Sequence, residues 1–273
     1  MTNATAMGPS LYLDLLKKCL TGTLESETYR LIEPLGWQGT LYAPFRIALN
    51  MTPFRLVRKS NPTSREDGRD WPAQALTMVG LKRLDNLEAS IAEVIRDAIP
   101  GDLIETGVWR GGASILMRGV LQAYAETKRT VWVADSFQGL PRPDAERYPA
   151  DRGDHLYSAT TLAVPLSEVK ANFSKYGLLD DQVRFLPGWF ADTLPTAPIE
   201  RLAILRLDGD MYGSTFEALA HLYPKLSVGG FAIIDDYALP ACRRAVDDYR
   251  LENGIAEPIE LVDWTGAYWR RAH

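Results

Sequence analysis

Asp102-Leu-Ile-Glu-Thr-Gly-Val-Trp-Arg-Gly-Gly112 is the stretch that decides the fold. A short apolar run ends in Glu105, breaks at glycines, and leads into a periodic segment near 112–126. Glycines at a strand-to-helix turn let a ligand approach the backbone, and the start of the helix offers unpaired N–H groups. The same alternation runs outward from this point. Strands are expected at 102–106, 130–135, 182–187, 202–208 and 230–235, with helices near 81–98, 112–126, 165–176, 214–225 and 239–250. Short apolar runs between helical patterns imply an α/β fold, a parallel sheet with helices on both faces. Residues 258–262 and 267–270, on either side of Asp263-Trp-Thr-Gly266, read as a terminal antiparallel hairpin.

A parallel sheet closed by such a hairpin is the Rossmann-like outline of class I methyltransferases. Composition agrees with a soluble enzyme: 273 residues, 46% hydrophobic and 24% charged, are enough for a sizeable core. A net charge of −5 argues against nucleic acid or an anionic membrane as partner and suits carboxylates gathered round a cation. Cys19 and Cys242 are far apart and lack metal-type spacing, which fits a reducing cytoplasm. The apolar stretch Leu11–Leu20 is interrupted by Asp14, Lys17 and Lys18, so it reads neither as a signal peptide nor as a membrane span.

Two divisions are expected, an N-terminal arm or lid (1–75) with possible dimerisation elements, and a cofactor-binding domain (76–273). The arm opens with an amphipathic helix at about 10–22, followed by Trp37, Tyr42, Phe45 and Phe54, then a linker or loop at Asn61-Pro-Thr-Ser64. Those aromatics suit a packed arm at a dimer interface and a lid over substrate equally well. The one long connection, 137–165, reads as a mobile lid beside the cofactor.

Three strand ends carry the cofactor expectation. The first is Glu105-Thr106-Gly107-Val108-Trp109, an E-x-G-x-x-x-G-G pattern whose bulky insert leaves little room for a dinucleotide but suits the methionine end of S-adenosyl-L-methionine. The second, Val133-Ala-Asp135-Ser136-Phe137, places a carboxylate where ribose hydroxyls can donate to it. The third, Gly188-Trp189-Phe190-Ala191-Asp192, offers an aromatic to stack on adenine and an acceptor for its amine.

The fourth and fifth strands each end abruptly in carboxylates, Leu202-Ala-Ile-Leu-Arg-Leu-Asp208-Gly-Asp210 and Gly230-Phe-Ala-Ile-Ile-Asp235-Asp236. As neighbours they bring Asp208, Asp235 and Asp236 to one edge of the cleft. Clustered carboxylates need a counter-charge, and a hard divalent cation, Mg²⁺ by default, supplies it. Helix capping is the competing role for Asp208 and Asp235. A cation on an acceptor hydroxyl lowers its pKa, and Asp208 is the candidate base for an in-line methyl transfer. His155 keeps a lesser place as base or substrate contact.

Glu105-Thr-Gly-Val-Trp-Arg-Gly-Gly, Val133-Ala-Asp-Ser-Phe-Gln-Gly-Leu-Pro, Leu205-Arg-Leu-Asp-Gly-Asp-Met-Tyr, Ile234-Asp-Asp-Tyr and Thr77-Met-Val-Gly-Leu-Lys-Arg-Leu together resemble the macrocin O-methyltransferase (TylF-type) family over residues 65–270. The resemblance implies methylation of a deoxysugar hydroxyl on a macrolide- or aminocoumarin-like natural product in antibiotic biosynthesis. It also implies S-adenosylmethionine, Mg²⁺ and a homodimer. Its implied metal ligands are Asp208, Asp235 and Asp236, and its implied cofactor positions add Thr77 and Met78. Residues 24–64 carry no family pattern. Two other readings stay open: a metal-dependent catechol or phenol O-methyltransferase, and a non-catalytic S-adenosylmethionine-binding module.

Overall fold

A computed structural model of the chain describes residues 7–25, 29–32 and 36–273. The N-terminal part holds α1 (Met7–Thr21), β1 (Tyr29–Leu31), α2 (Gly36–Asn50), β2 (Val57–Lys59) and α3 (Pro62–Glu66). There follow α4 (Leu81–Arg96), β3 (Asp102–Thr106), α5 (Gly112–Ala123) and β4 (Val131–Asp135). After three single-turn 3₁₀ segments come α6 (Leu166–Lys175), β5 (Val183–Pro187), α7 (Phe190–Thr193), β6 (Leu202–Leu207) and α8 (Tyr212–Leu222). The chain closes with β7 (Leu226–Ile234), α9 (Pro240–Glu252), β8 (Glu260–Leu261) and β9 (Ala267–Arg270).

The main sheet runs β5-β4-β3-β6-β7-β9-β8. Its first five strands are parallel, and β9 returns antiparallel to β7 and β8. All five expected strands form, with ends displaced by four residues at most, and the terminal hairpin is present. Every residue of β6 is buried, because helices cover both faces of a parallel sheet.

The two-residue period of the strands sorts their side chains into two cores. Leu103, Ile204, Phe231 and Ile233 face α1, α4 and α5, while Ile104, Leu205, Ala232, Ile234 and Trp269 face α8 and α9. Extended by the same period, the first face ends in Glu105, Arg206, Asp208 and Asp235, which places those charges together at the carboxyl ends of three adjacent strands.

Helix α1 is built into this core through Leu13, Leu16 and Leu20, and its Lys17 Nζ lies 2.5 Å from Asp85 and 2.8 Å from Glu88 on α4. Two segments differ from expectation. Helix α2 forms where only a Pro- and Gly-rich stretch was legible; it carries Pro44 internally and leaves Trp37, Leu41 and Phe45 exposed. The expected linker at 61–64 begins α3 instead. Asn61 caps it by accepting from Thr63 N at 3.1 Å, and Pro62 occupies the first turn, where its missing N–H costs nothing.

The long 137–165 connection is tied down. Buried Asp151 accepts from the backbone N–H groups of Tyr212 (2.7 Å) and Gly213 (2.9 Å) at the start of α8. Among the described residues no helix is long and apolar enough to cross a membrane.

Leu205→Ala, at the centre of the sheet, should cost about 2–5 kcal/mol of stability, while Leu251→Ala on the exposed side of α9 should change it by less than about 0.5 kcal/mol. Urea denaturation of the two variants checks this.

Candidate active site

A cavity of about 440 Å³ opens beyond the carboxyl ends of the parallel strands, where doubly wound sheets bind their ligands. Its lining takes in most of the residues expected from sequence: Thr77, Met78, Glu105, Gly107, Trp109, Asp135, Ser136, Gly188, Trp189, Phe190, Asp208, Asp235 and Asp236. Thr106, Phe137 and Asp192 do not line it. Thr106 shares a face with Ile104, on the α8–α9 side of the sheet. Phe137 takes a left-handed φ of 57° and turns into the core, 6.4 Å from the Phe185 ring. Asp192 sits on the exposed side of α7, and Ala191 lines the cavity in its place.

The glycine turn is compact. Gly107 has φ 82°, and a Cβ there would sit on the carbonyl oxygen of Asp208. Trp109 also has positive φ (47°), and its indole N–H donates to Thr161 O at 2.8 Å, which ties the turn to the long connection. Asp135 accepts from Val108 N at 2.8 Å through Oδ2 and from Phe137 N at 2.7 Å through Oδ1. Burial pushes its carboxyl up, and these backbone donors hold it back. Gly112 N donates to Leu76 O at 2.9 Å, so the segment carrying Thr77 and Met78 lies against the same turn.

The other end of the cavity is acidic. Asp208, Asp235 and Asp236 each bring a carboxylate oxygen to within 4.8 Å of the others, so one ion can touch all three. Burial is the first reason that Asp208 is pushed up to about 6, and the Asp235 charge adds to it. Asp236 rises well above the usual carboxylate range for the same reason, with Asp210, Asp208 and Asp235 adding repulsion. Burial also pushes Asp210 up to about 8, helped by Asp208 and Asp235. Two guanidiniums offset part of this charge. Arg206 Nη1 donates to Glu105 Oε1 (2.5 Å) and Asp208 Oδ2 (3.0 Å), and its Nη2 donates to Asp235 Oδ1. Arg83 donates through Nη1 to Asp235 Oδ2 and through Nε to Asp263 Oδ2 at 3.1 Å.

Two cations thus face five carboxyl groups, Glu105, Asp208, Asp210, Asp235 and Asp236, more than they could neutralise if all were ionised. An all-carboxylate donor set with that excess fits a hard divalent cation. The capping alternative does not hold: the N-cap residues of α8 and α9 are Met211 and Leu239, and the first amides of α8 are bound by Asp151.

Sequence reasoning passed over Arg206 and Arg83. The available signal was Arg206 itself, the one charge inside an otherwise apolar, fully buried strand, which must have partners. It also passed over the wall opposite the sheet, where Glu217 Oε1 accepts from Tyr148 Oη (2.9 Å) and Arg147 Nη1 (3.0 Å), and where Trp71 and Trp264 line the cavity. His155 is exposed and lies outside the lining.

Sheet order, closing hairpin and glycine turn define a class I methyltransferase fold. The chain belongs to the macrocin O-methyltransferase (TylF) family, whose model matches residues 9–271 and so extends over 24–64, where the motifs suggested no family pattern. It is 53% identical over 261 residues to the 8-demethyl-8-(2,3-dimethoxy-alpha-L-rhamnosyl)-tetracenomycin-C 4'-O-methyltransferase of Streptomyces olivaceus, covering 95% of this chain and 92% of that one. It is 49% identical over 268 residues to the mycinamicin III 3''-O-methyltransferase of Micromonospora griseorubida, covering 97% and 98%. The solved structure of the O-methyltransferase NovP superposes with a TM-score of 0.84 at 48% identity, over 97% of this chain and all of that one. The protein is therefore an O-methyltransferase.

Gly107→Ala should be far more damaging than Gly254→Ala. Both positions have positive φ, but only at Gly107 does the new methyl meet backbone. Thermal unfolding should show a loss of about 1 kcal/mol for Gly254→Ala and several times that, or failure to fold, for Gly107→Ala.

Proposed function

We propose that the protein transfers a methyl group from S-adenosyl-L-methionine to a hydroxyl of a deoxysugar in a glycosylated natural product, with Mg²⁺ or another divalent cation held by Asp208, Asp235 and Asp236. The observation that carries this reading is the placing of the three carboxylates in the same cavity as the glycine turn. Two relatives named for methylating a rhamnosyl tetracenomycin and mycinamicin III support a sugar hydroxyl on an antibiotic as acceptor.

The donor's methionine end would sit on the turn at Glu105, Gly107 and Trp109, beside Thr77 and Met78. Asp135 lines the cavity and accepts from Val108 N through Oδ2, which keeps a second acceptor site for a ribose hydroxyl. Trp189 and Phe190 supply the aromatic wall for adenine. A divalent cation, when bound, supplies the positive charge that acidifies the acceptor hydroxyl. Asp208 then takes the proton. It lines the cavity and sits at the edge of the carboxylate cluster, within reach of a hydroxyl held there. Tyr148, Arg147 and Glu217 form a polar wall able to bond other hydroxyls of a sugar. Exposed Trp37, Leu41 and Phe45 on α2 offer an apolar surface for the homodimer that the family resemblance implies.

The test uses labelled S-adenosylmethionine, Mg²⁺ and a panel of rhamnosylated and mycinosylated compounds against free catechols. Methylation of a glycoside is expected, with EDTA abolishing it. Asp208→Asn should lower kcat by about 10²–10⁴-fold while leaving binding of S-adenosylhomocysteine within about twofold. Full activity in EDTA, or a preference for free catechols, would overturn the proposal.

A further inference from the structure

A single guanidinium joins the ends of three adjacent strands, each of which carries a carboxyl group that lines the cavity. Arg206 projects from the middle strand, β6, and is 2% exposed. On one side it bonds Glu105 at the end of β3, below the glycine turn; on the other it bonds Asp235 beyond the end of β7; and it bonds Asp208 on its own chain segment. Glu105 is fixed in turn by Ser114 Oγ on α5, and Asp235 by Arg83 on α4. Stability alone is a poor reason for such an arrangement, since well-packed apolar residues often replace buried ion clusters without loss. What an apolar residue cannot do is fix the relative position of three carboxylates on separate strands. The planar fork of arginine, with five N–H donors in rigid geometry, can.

We propose that Arg206 is a positioning residue that couples the donor subsite to the cation subsite, so that filling one tightens the other. The inference rests on the reading just given of what each subsite holds. Its physical basis is competition for one guanidinium. A cation drawn to Asp208 and Asp235 takes part of the carboxylate charge that Arg206 otherwise satisfies. The guanidinium then leans more strongly on Glu105 and stiffens the turn on which the donor lies. By linkage, a donor that fixes Glu105 strengthens cation binding by the same factor. Alignment of donor and acceptor oxygen is costly to lose, because misplacement of about 1 Å can lower a rate by about a hundredfold.

Calorimetry on the full chain, with S-adenosylhomocysteine and Mn²⁺ as probes, tests the coupling without turnover. In the unmodified protein, saturating Mn²⁺ should tighten S-adenosylhomocysteine binding by about fivefold or more. Arg206→Lys keeps a charge but cannot span three carboxylates; it should bind each probe alone while the coupling falls below about twofold. Glu105→Gln leaves Arg206, Asp208 and Asp235 in place and should lose the coupling as well, which decides the matter should the lysine variant not fold. If both variants lower the melting temperature and keep the coupling, Arg206 is only a structural counter-ion and the inference falls. Independent binding of the two probes to the unmodified protein would also sink it, with the proposed function intact. Failure of either probe to bind at all would remove both.

Discussion

The site depends on gathering more carboxyl groups at the ends of β6 and β7 than the protein's own cations could neutralise if all were ionised. Asp208, Asp210, Asp235 and Asp236 lie within a few residues of one another on two adjacent strand ends, and burial raises the cost of ionising them together. Arg206 and Arg83 settle the geometry of Asp235 and one oxygen of Asp208 but leave an excess that a divalent ion can offset. The net charge of the whole chain, −5, does not locate this cluster. What matters is that the sheet gathers this charge at one point.

The fold supplies that concentration through ordinary rules. Parallel strands covered on both faces are apolar along their length, so polar chemistry is pushed to their ends. The two-residue period then decides which face each end group joins. Glu105, Arg206, Asp208 and Asp235 share a face beneath α4 and α5, and this brings the glycine turn and the carboxylates into a single cavity. The long connection closes the opposite side. It is held by Asp151 at the start of α8 and by the Trp109 indole at Thr161 O, so donor turn, connection and α8 are linked by direct bonds.

Much of this was legible in the sequence, for a physical reason. Fully buried strands read as unbroken apolar runs, and a run ending in Asp-Gly-Asp or Asp-Asp cannot be mistaken for continuing core. Side-chain direction was less legible. Thr106, Phe137 and Asp192 stand inside the right motifs, but the pleat, a left-handed turn and the outer side of α7 respectively carry their side chains elsewhere. Helix α2 was hidden by Pro44 and by glycines that favour loops. Arg206 stood in plain view within an apolar strand, and its role emerges only once three strands are placed side by side. The polar wall of Tyr148, Arg147 and Glu217 joins residues some seventy positions apart, a proximity that no local pattern reports.

The central claim is that the three aspartates share one divalent ion. Crystals grown with Mn²⁺ and S-adenosylhomocysteine, measured at the manganese absorption edge, test it directly. An anomalous peak bonded by Asp208, Asp235 and Asp236, opening toward the donor's sulfur, is the expected result. A map with no peak at that position, and with the three carboxylates bound only to Arg206, Arg83 and backbone amides, would contradict it.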